Sequence, residues 1–164
     1  MPYAYLLLLR PQQWVKNAFV FAPLLFAFRF DDVEAWQAAV IAFLAFIAAS
    51  GAVYIFNDLR DIEHDKLHPR KRFRPLASGA VTPLSAALLG VALTGGAFAA
   101  ATLLPLPATG ILALYFLLNL AYSLELKKFA VLDVIIVSSG YVLRVLMGGF
   151  AVGVAVSSWL ILTT

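Results

Sequence analysis

From Ala35 to Phe56 the chain runs for twenty-two residues without a charged side chain. As an α-helix at 1.5 Å per residue this stretch is about 33 Å long, the thickness of a bilayer's hydrocarbon core. Lipid offers no hydrogen bonds, so such a segment has to satisfy its own N–H and C=O groups as a continuous helix. The rest of the chain follows suit. Of 164 residues, 63% are apolar and only 13% charged, whereas a soluble domain carries about a quarter charged residues. The expected class is an all-α membrane protein, a multi-helix transmembrane bundle.

Besides the span at 35–56, four more are expected. One covers roughly 15–30 and is kinked by Pro23. Another covers 83–104, opened by Thr82 as N-cap and Pro83 at the first helical position. The turn "PLPATG" separates it from a span at 109–124, and a further span covers 130–152. A sixth begins near Ser157 and reaches Thr164 after about two turns, too short to cross. Residues 1–164 are therefore expected to form the N-terminal part of a single, longer domain. The segment "MPYAYLLLLRPQQWVKN" has no basic residue before its apolar run and no small-residue cleavage site after it, and reads as interfacial rather than as a secretory signal.

The loops alternate in charge. Arg10 and Lys16, then six basic residues between spans two and three, then Lys127 and Lys128 fall on one side. The other side holds Arg29 with Asp31, Asp32 and Glu34, then uncharged turns. The positive-inside rule places the amino terminus and the charged stretch in the cytoplasm. This pattern also explains the net charge of +3 without nucleic acid, because the cations sit in short clusters between apolar runs. Cysteine is absent, which excludes disulfides, thiolate catalysis and Cys-ligated metals.

Residues 57–75, "NDLRDIEHDKLHPRKRFRP", gather four of the nine carboxylates and six of the twelve Lys and Arg side chains. On a helix continuing the second span, Asp58, Asp61 and Asp65 lie within about 60° of one another, and Asn57 sits one turn behind Asp61. Arg60, Glu63 and His64 would point elsewhere. Carboxylates crowded on one face repel, and an all-oxygen ligand set suits Mg²⁺, which takes its remaining ligands from water and phosphate. Arg70, Lys71, Arg72 and Arg74 follow, stiffened by Pro69 and Pro75, and can grip phosphate oxygens. The competing reading is a topogenic loop with ordinary surface ion pairs.

Other residues carry weaker signals. Tyr122 and Lys127 end the fourth span, where an aromatic belt residue and a topogenic lysine also belong. Asp133 and Arg144 fall inside the fifth span, on nearly the same face but about 16 Å apart; intramembrane charges mark either polar cavities or interhelical ties. Gly140, Gly148, Gly149 and Gly153 suit close helix approach. His64 and His68 lack a zinc-ligand spacing.

"NDLRDIEHD" resembles the first aspartate-rich motif, NDxxDxxxD, of the UbiA-type intramembrane prenyltransferase superfamily, "RFRPLASG" resembles the segment that follows it there, and "YSLELKK" is similar to the family's Tyr-Ser-x-x-Leu-Lys stretch. Within the superfamily, "LRPQQWVKNAFVFAPLLF", "DIEHDKLHPRKRFRPLASG" and "LDVIIVSSGYVLRVLMGG" look most like the decaprenyl-phosphate phosphoribosyltransferase branch. The resemblance implies about nine helices in a bacterial plasma membrane, with a second aspartate motif after the sixth. It implies that Asn57, Asp58, Asp61 and Asp65 hold Mg²⁺ on the diphosphate of phosphoribosyl pyrophosphate. Asp58, Asp61, Asp65 and Lys127 would be catalytic. Arg70, Lys71, Arg72, Arg74, Tyr122 and Arg144 would bind the donor or a polyprenyl phosphate acceptor, and the product would serve cell-wall arabinan synthesis. With about half the bundle present, residues 1–164 alone are expected to be inactive.

Two rivals remain at this stage. One is the superfamily's commoner reaction, from a prenyl diphosphate to an aromatic or other small acceptor. The other is a transporter, for which inverted repeats are expected and no self-similarity at a fixed period is visible. Oligomeric state has no signal in the sequence.

Overall fold

The computed structural model describes residues 2–124 and 130–164. Lys127 and Lys128 lie outside them, as does the side chain of Asp133. Among the described residues the regular structure is entirely helical.

A short helix, α1 (Pro2–Leu8), leads in. Tyr3, Leu6 and Leu7 are exposed while Leu8 is fully buried against Ile55, Leu76, Val81 and Ala86. The first expected span is not an α-helix throughout. It is a 3₁₀ helix, Pro11–Phe21, running into α2 (Ala22–Phe26). Pro23 has no N–H to close an α-type bond onto the carbonyl of Phe19, and that carbonyl accepts from Ala22 instead. The tighter winding lengthens the rod: at about 2.0 Å per residue in the 3₁₀ part, residues 11–26 reach roughly 30 Å, where an α-helix would reach about 24 Å.

The longest helix, α3 (Val33–Arg60), is capped by Asp32, whose Oδ1 accepts from the Ala35 N–H at 2.9 Å. That N–H, together with the Arg29 guanidinium, holds the Asp32 carboxyl below its ordinary range. The cap is therefore intact above that range and is lost only as pH falls through the depressed value. The backbone bends at Asp61 (φ −100°, ψ 10°) before α4 (Ile62–Leu67). A 3₁₀ turn at Lys71–Phe73 follows. Then come α5 (Pro83–Ala101), α6 (Leu106–Leu124), α7 (Ala130–Val152) and α8 (Ser158–Thr163). Among the described residues four helices are long and apolar enough to cross a membrane: Val33–Arg60, Pro83–Ala101, Leu106–Leu124 and Val134–Val152. The sequence reading counted five; the difference is the 3₁₀ rod. It also started the fourth span at 109, whereas α6 begins at Leu106 because Pro107 is tolerated in a first turn.

Helices in lipid gain little from apolar burial against one another and associate through close packing of small residues. The core shows this. Ala42, Ala45 and Ala49 of α3 and Ala97 and Ala101 of α5 are fully buried in one cluster with Phe46, Leu112 and Met147. On α7, a Cβ at Gly148 would lie 1.9 Å from the Val20 carbonyl oxygen, so glycine is what allows the 3₁₀ rod to lie against α7. The ends of the bundle differ in chemistry. At one, Arg29 donates to the Val152 carbonyl at 2.6 Å and to Asp32; at the other, residues from α3, α4 and α6 converge with Arg10.

Candidate active site

A cavity of about 760 Å³ opens at that second end. Asn57 and Asp58 reach it from the last turn of α3, Asp61 from the bend, and His64 from α4. Lys71 and Arg74 enter from the loop, Tyr122 and Ser123 from the end of α6, and Arg10 from the start of the 3₁₀ rod. The cavity wall thus carries three Lys and Arg side chains and two carboxylates.

An ion-pair chain organises the site. The Asp58 carboxylate, 4% exposed, accepts from Arg10 at 2.6 Å and from Arg74 at 3.1 Å through the same Oδ1. Arg74 also donates to Asp65 Oδ2 at 2.7 Å. Among the described residues Asp65 Oδ1, which is buried, has no hydrogen-bond partner, with Lys71 Nζ 4.0 Å away. Arg10 stacks over the Tyr54 ring, 4.6 Å from its centroid. Its backbone sits in the left-handed region (φ 49°), an uncommon conformation for a non-glycine residue that concentrates at functional sites. Asn57 accepts from the Ser123 hydroxyl, tying α3 to α6.

The expected residues divide into two groups. Asn57, Asp58, Asp61, Lys71, Arg74 and Tyr122 come together around one cavity. Asp65 stands behind Arg74 rather than on the cavity wall, because the bend at Asp61 ends the continuous helix on which three aspartates would share a face. Arg70 and Arg72 do not line the cavity, and Arg72 stacks on Phe73 instead. A 3₁₀ turn repeats every three residues, so Lys71 and Arg74 share a face while 70 and 72 project off it. Lys127 lies outside the described residues. Among the described residues no three His, Asp or Glu side chains gather as a ready-made metal cage.

Arg144 is placed elsewhere, buried in the bundle. Its Nε donates to Asn17 Oδ1 at 2.7 Å and its Nη1 to the Gly140 carbonyl at 2.6 Å. The rings of Phe46, Tyr115 and Tyr141 surround its guanidinium at 5.0–5.8 Å. It ties α7 to the 3₁₀ rod. Replacing Asn17 by leucine strands a charged donor and is expected to cost about 2 kcal/mol or more, visible as a lowered thermal midpoint in detergent.

Arg10, His64 and Ser123 are cavity residues that the sequence reading did not assign. Ser123 and His64 lie inside the quoted motifs without a role; Arg10 stands next to a proline after an apolar run, and its partner Asp58 is 48 positions away.

The sequence model of the UbiA prenyltransferase family matches residues 18–164. The chain belongs to that family. A decaprenyl-phosphate phosphoribosyltransferase of Mycobacterium tuberculosis is 40% identical over 158 residues, 94% of this chain and 52% of the relative. One from Mycolicibacterium smegmatis is 38% identical over 157 residues, 93% of this chain and 49% of the relative. The solved structure of a UbiA homologue from Archaeoglobus fulgidus bound to GPP and Mg²⁺ superposes with a TM-score of 0.81 at 25% identity, over 96% of this chain and 57% of that one. The chain thus spans about half the length of the curated relatives it matches. As a UbiA-family chain whose described residues include four helices long and apolar enough to cross a membrane, it is an integral membrane protein.

Proposed function

We propose that the protein transfers phosphoribosyl from phosphoribosyl pyrophosphate to polyprenyl phosphate, decaprenyl phosphate in particular, with release of pyrophosphate, for cell-wall arabinan precursors. The observation that carries this reading is the 38–40% identity to decaprenyl-phosphate phosphoribosyltransferases over more than nine-tenths of the chain. The cavity supports it: cations and oxygen ligands meet at one end of a membrane bundle, where a soluble donor and a lipid acceptor can both arrive. In this reading that end and the amino terminus face the cytoplasm, and the membrane is the bacterial plasma membrane.

Mg²⁺ fits the donor set. Asn57, Asp58 and Asp61 offer oxygens to the cavity and the buried Asp65 Oδ1 lacks a partner among the described residues, while Mg²⁺ takes one or two carboxylates and completes its shell with water and phosphate. Asn57, Asp58 and Asp61 would hold the ion, with Asp65 joining them once Arg74, which stands in front of it, turns to the phosphate; the ion would neutralise the departing diphosphate. Lys71, Arg74 and Arg10 would bind phosphate oxygens, with Lys127 joining them on sequence grounds. Tyr122 would orient the donor beside Asn57. The ribose C1–O bond breaks with its electron pair leaving on pyrophosphate, and an oxygen of the polyprenyl phosphate forms the new bond to C1. Arg144, tied to Asn17, would brace the first span.

Arg74→Gln removes one charge-assisted contact, about 2 kcal/mol or roughly thirtyfold. The loss is expected mainly in KM for the donor, measured by initial rates on the full-length protein.

The Mg²⁺ and GPP bound to the Archaeoglobus homologue favour a second reading, prenyl transfer to an aromatic acceptor, since both reactions use a diphosphate leaving group. Pyrophosphate release separates them. Release that requires both phosphoribosyl pyrophosphate and polyprenyl phosphate supports the first; release from a prenyl diphosphate with an aromatic acceptor, and none from phosphoribosyl pyrophosphate, replaces it with the second.

A further inference from the structure

A second pair of hollows lies on the other side of α3. One, of about 520 Å³, is walled by apolar residues of α3, α5 and α6, among them Ile55, Phe56, Leu59, Val91 and Leu120. The other, of about 750 Å³, carries the polar groups: Arg60, Lys66, Ser78 and Thr82, with Glu63 as an acidic member, share its wall with apolar residues such as Ile62, Leu76 and Val81. Leu59 borders both. The order is the same along the two helices: α3 lines the apolar groove from Ala52 to Leu59 and the polar hollow from there on, while on α5 Pro83 borders the polar hollow and Ala87 to Gly95 the groove. A molecule with its head in one hollow lays its tail in the other.

The dimensions select the occupant. Thr82 to Gly95 is about 20 Å of helix, and one leaflet of the hydrocarbon core is about 15 Å deep, so the groove runs from headgroup level to near the bilayer midplane. The space at Gly95 is open: a Cβ there would meet nothing within 4 Å. At the head end Arg60 is held at the rim by donating to the Ser123 carbonyl at 2.8 Å. Lys66 pairs with Glu63 at 2.7 Å, but its side chain is about half exposed and that of Glu63 largely so, and such a pair is weak enough to be exchanged for a phosphate. Basic pockets between membrane helices at this level recognise anionic headgroups.

We propose that this face of α3 binds an anionic phospholipid of the leaflet next to the charged cavity, its phosphate between Arg60 and Lys66 and one acyl chain along α5. It is a site separate from the reaction. On α3, Asn57 and Asp58 lie about 150° and 110° from the mean direction of Ala52, Ile55, Phe56 and Leu59, so a lipid held along that direction faces away from the cavity. The inference therefore does not rest on the identity of the donor or acceptor.

Native mass spectrometry of the full-length protein, with phosphatidylglycerol or phosphatidylcholine added to the detergent, tests it. Phosphatidylglycerol is expected to be retained about fivefold more than phosphatidylcholine, the effect of one basic residue at the membrane surface. Lys66→Glu is expected to abolish that preference, and Gly95→Phe, which fills the groove, to reduce retention of both lipids with helicity by circular dichroism unchanged. Equal retention of the two lipids by the unaltered protein, or retention indifferent to both substitutions, overturns the proposal. So does displacement of bound phosphatidylglycerol by millimolar inorganic phosphate, which would make the polar hollow a phosphate site.

Discussion

Asparagine in place of Asp58 is expected to lower transfer by about 10²–10³-fold, the scale of losing one preorganised charged group at a reacting centre, while the bundle stays assembled. The substitution keeps the shape of a side chain that is 4% exposed and deletes the charge that Arg10 and Arg74 share at 2.6 and 3.1 Å. Those two guanidiniums would then face each other across a neutral amide. Their side chains are 25% and 30% exposed and can turn toward water, so the stability loss stays below the about 3–5 kcal/mol of a fully buried pair broken on one side. Initial rates and thermal midpoints taken on one preparation separate the two effects. A rate within threefold of the unaltered protein would remove Asp58 from the reaction.

Gly148→Leu is expected to have the largest effect on folding. The first atom added would lie 1.9 Å from the Val20 carbonyl oxygen and 2.8 Å from its carbon. These are backbone atoms of the 3₁₀ rod and cannot move aside as a side-chain tip can. Overpacking a well-filled interior costs about 1–3 kcal/mol, and the rigid neighbour puts this site at the upper end or beyond. Displacing the rod also pulls Asn17 from Arg144, joined at 2.7 Å, leaving a buried cation short of an acceptor. Folded, monodisperse yield in detergent should fall severely for Gly148→Leu and far less for Gly95→Leu, where nothing stands within 4 Å. Equal yields would mean that the rod and α7 do not pack as described.

The bundle was largely legible because uninterrupted apolar length is a strong signal in lipid: the reading of 35–56 lies within α3, and 130–152 coincides with α7. The 3₁₀ rod was not, since hydropathy carries no information about whether a carbonyl is reached from three or four residues on. Pro23 announced a kink, and the structure resolves it as a change of helix type. At the site, Asn57, Asp58 and Asp61 could be picked out by spacing because they are neighbours in sequence. The bend at Asp61 could not, and it separates Asp65 from the cavity and turns His64 toward it. Choosing among the four loop cations at 70, 71, 72 and 74 required the three-residue period of the turn at 71–73, which selects Lys71 and Arg74. Arg10 was read as an interfacial arginine because only tertiary packing brings it to Asp58.

The most direct measurement follows radiolabel from phosphoribosyl pyrophosphate into organic-extractable lipid, using the full-length protein in detergent with Mg²⁺ and polyprenyl phosphate. Label in the lipid that requires the acceptor and Mg²⁺ and disappears in Asp61→Ala is the predicted result. No label, in a preparation that transfers a prenyl group to an aromatic acceptor, would contradict phosphoribosyl transfer.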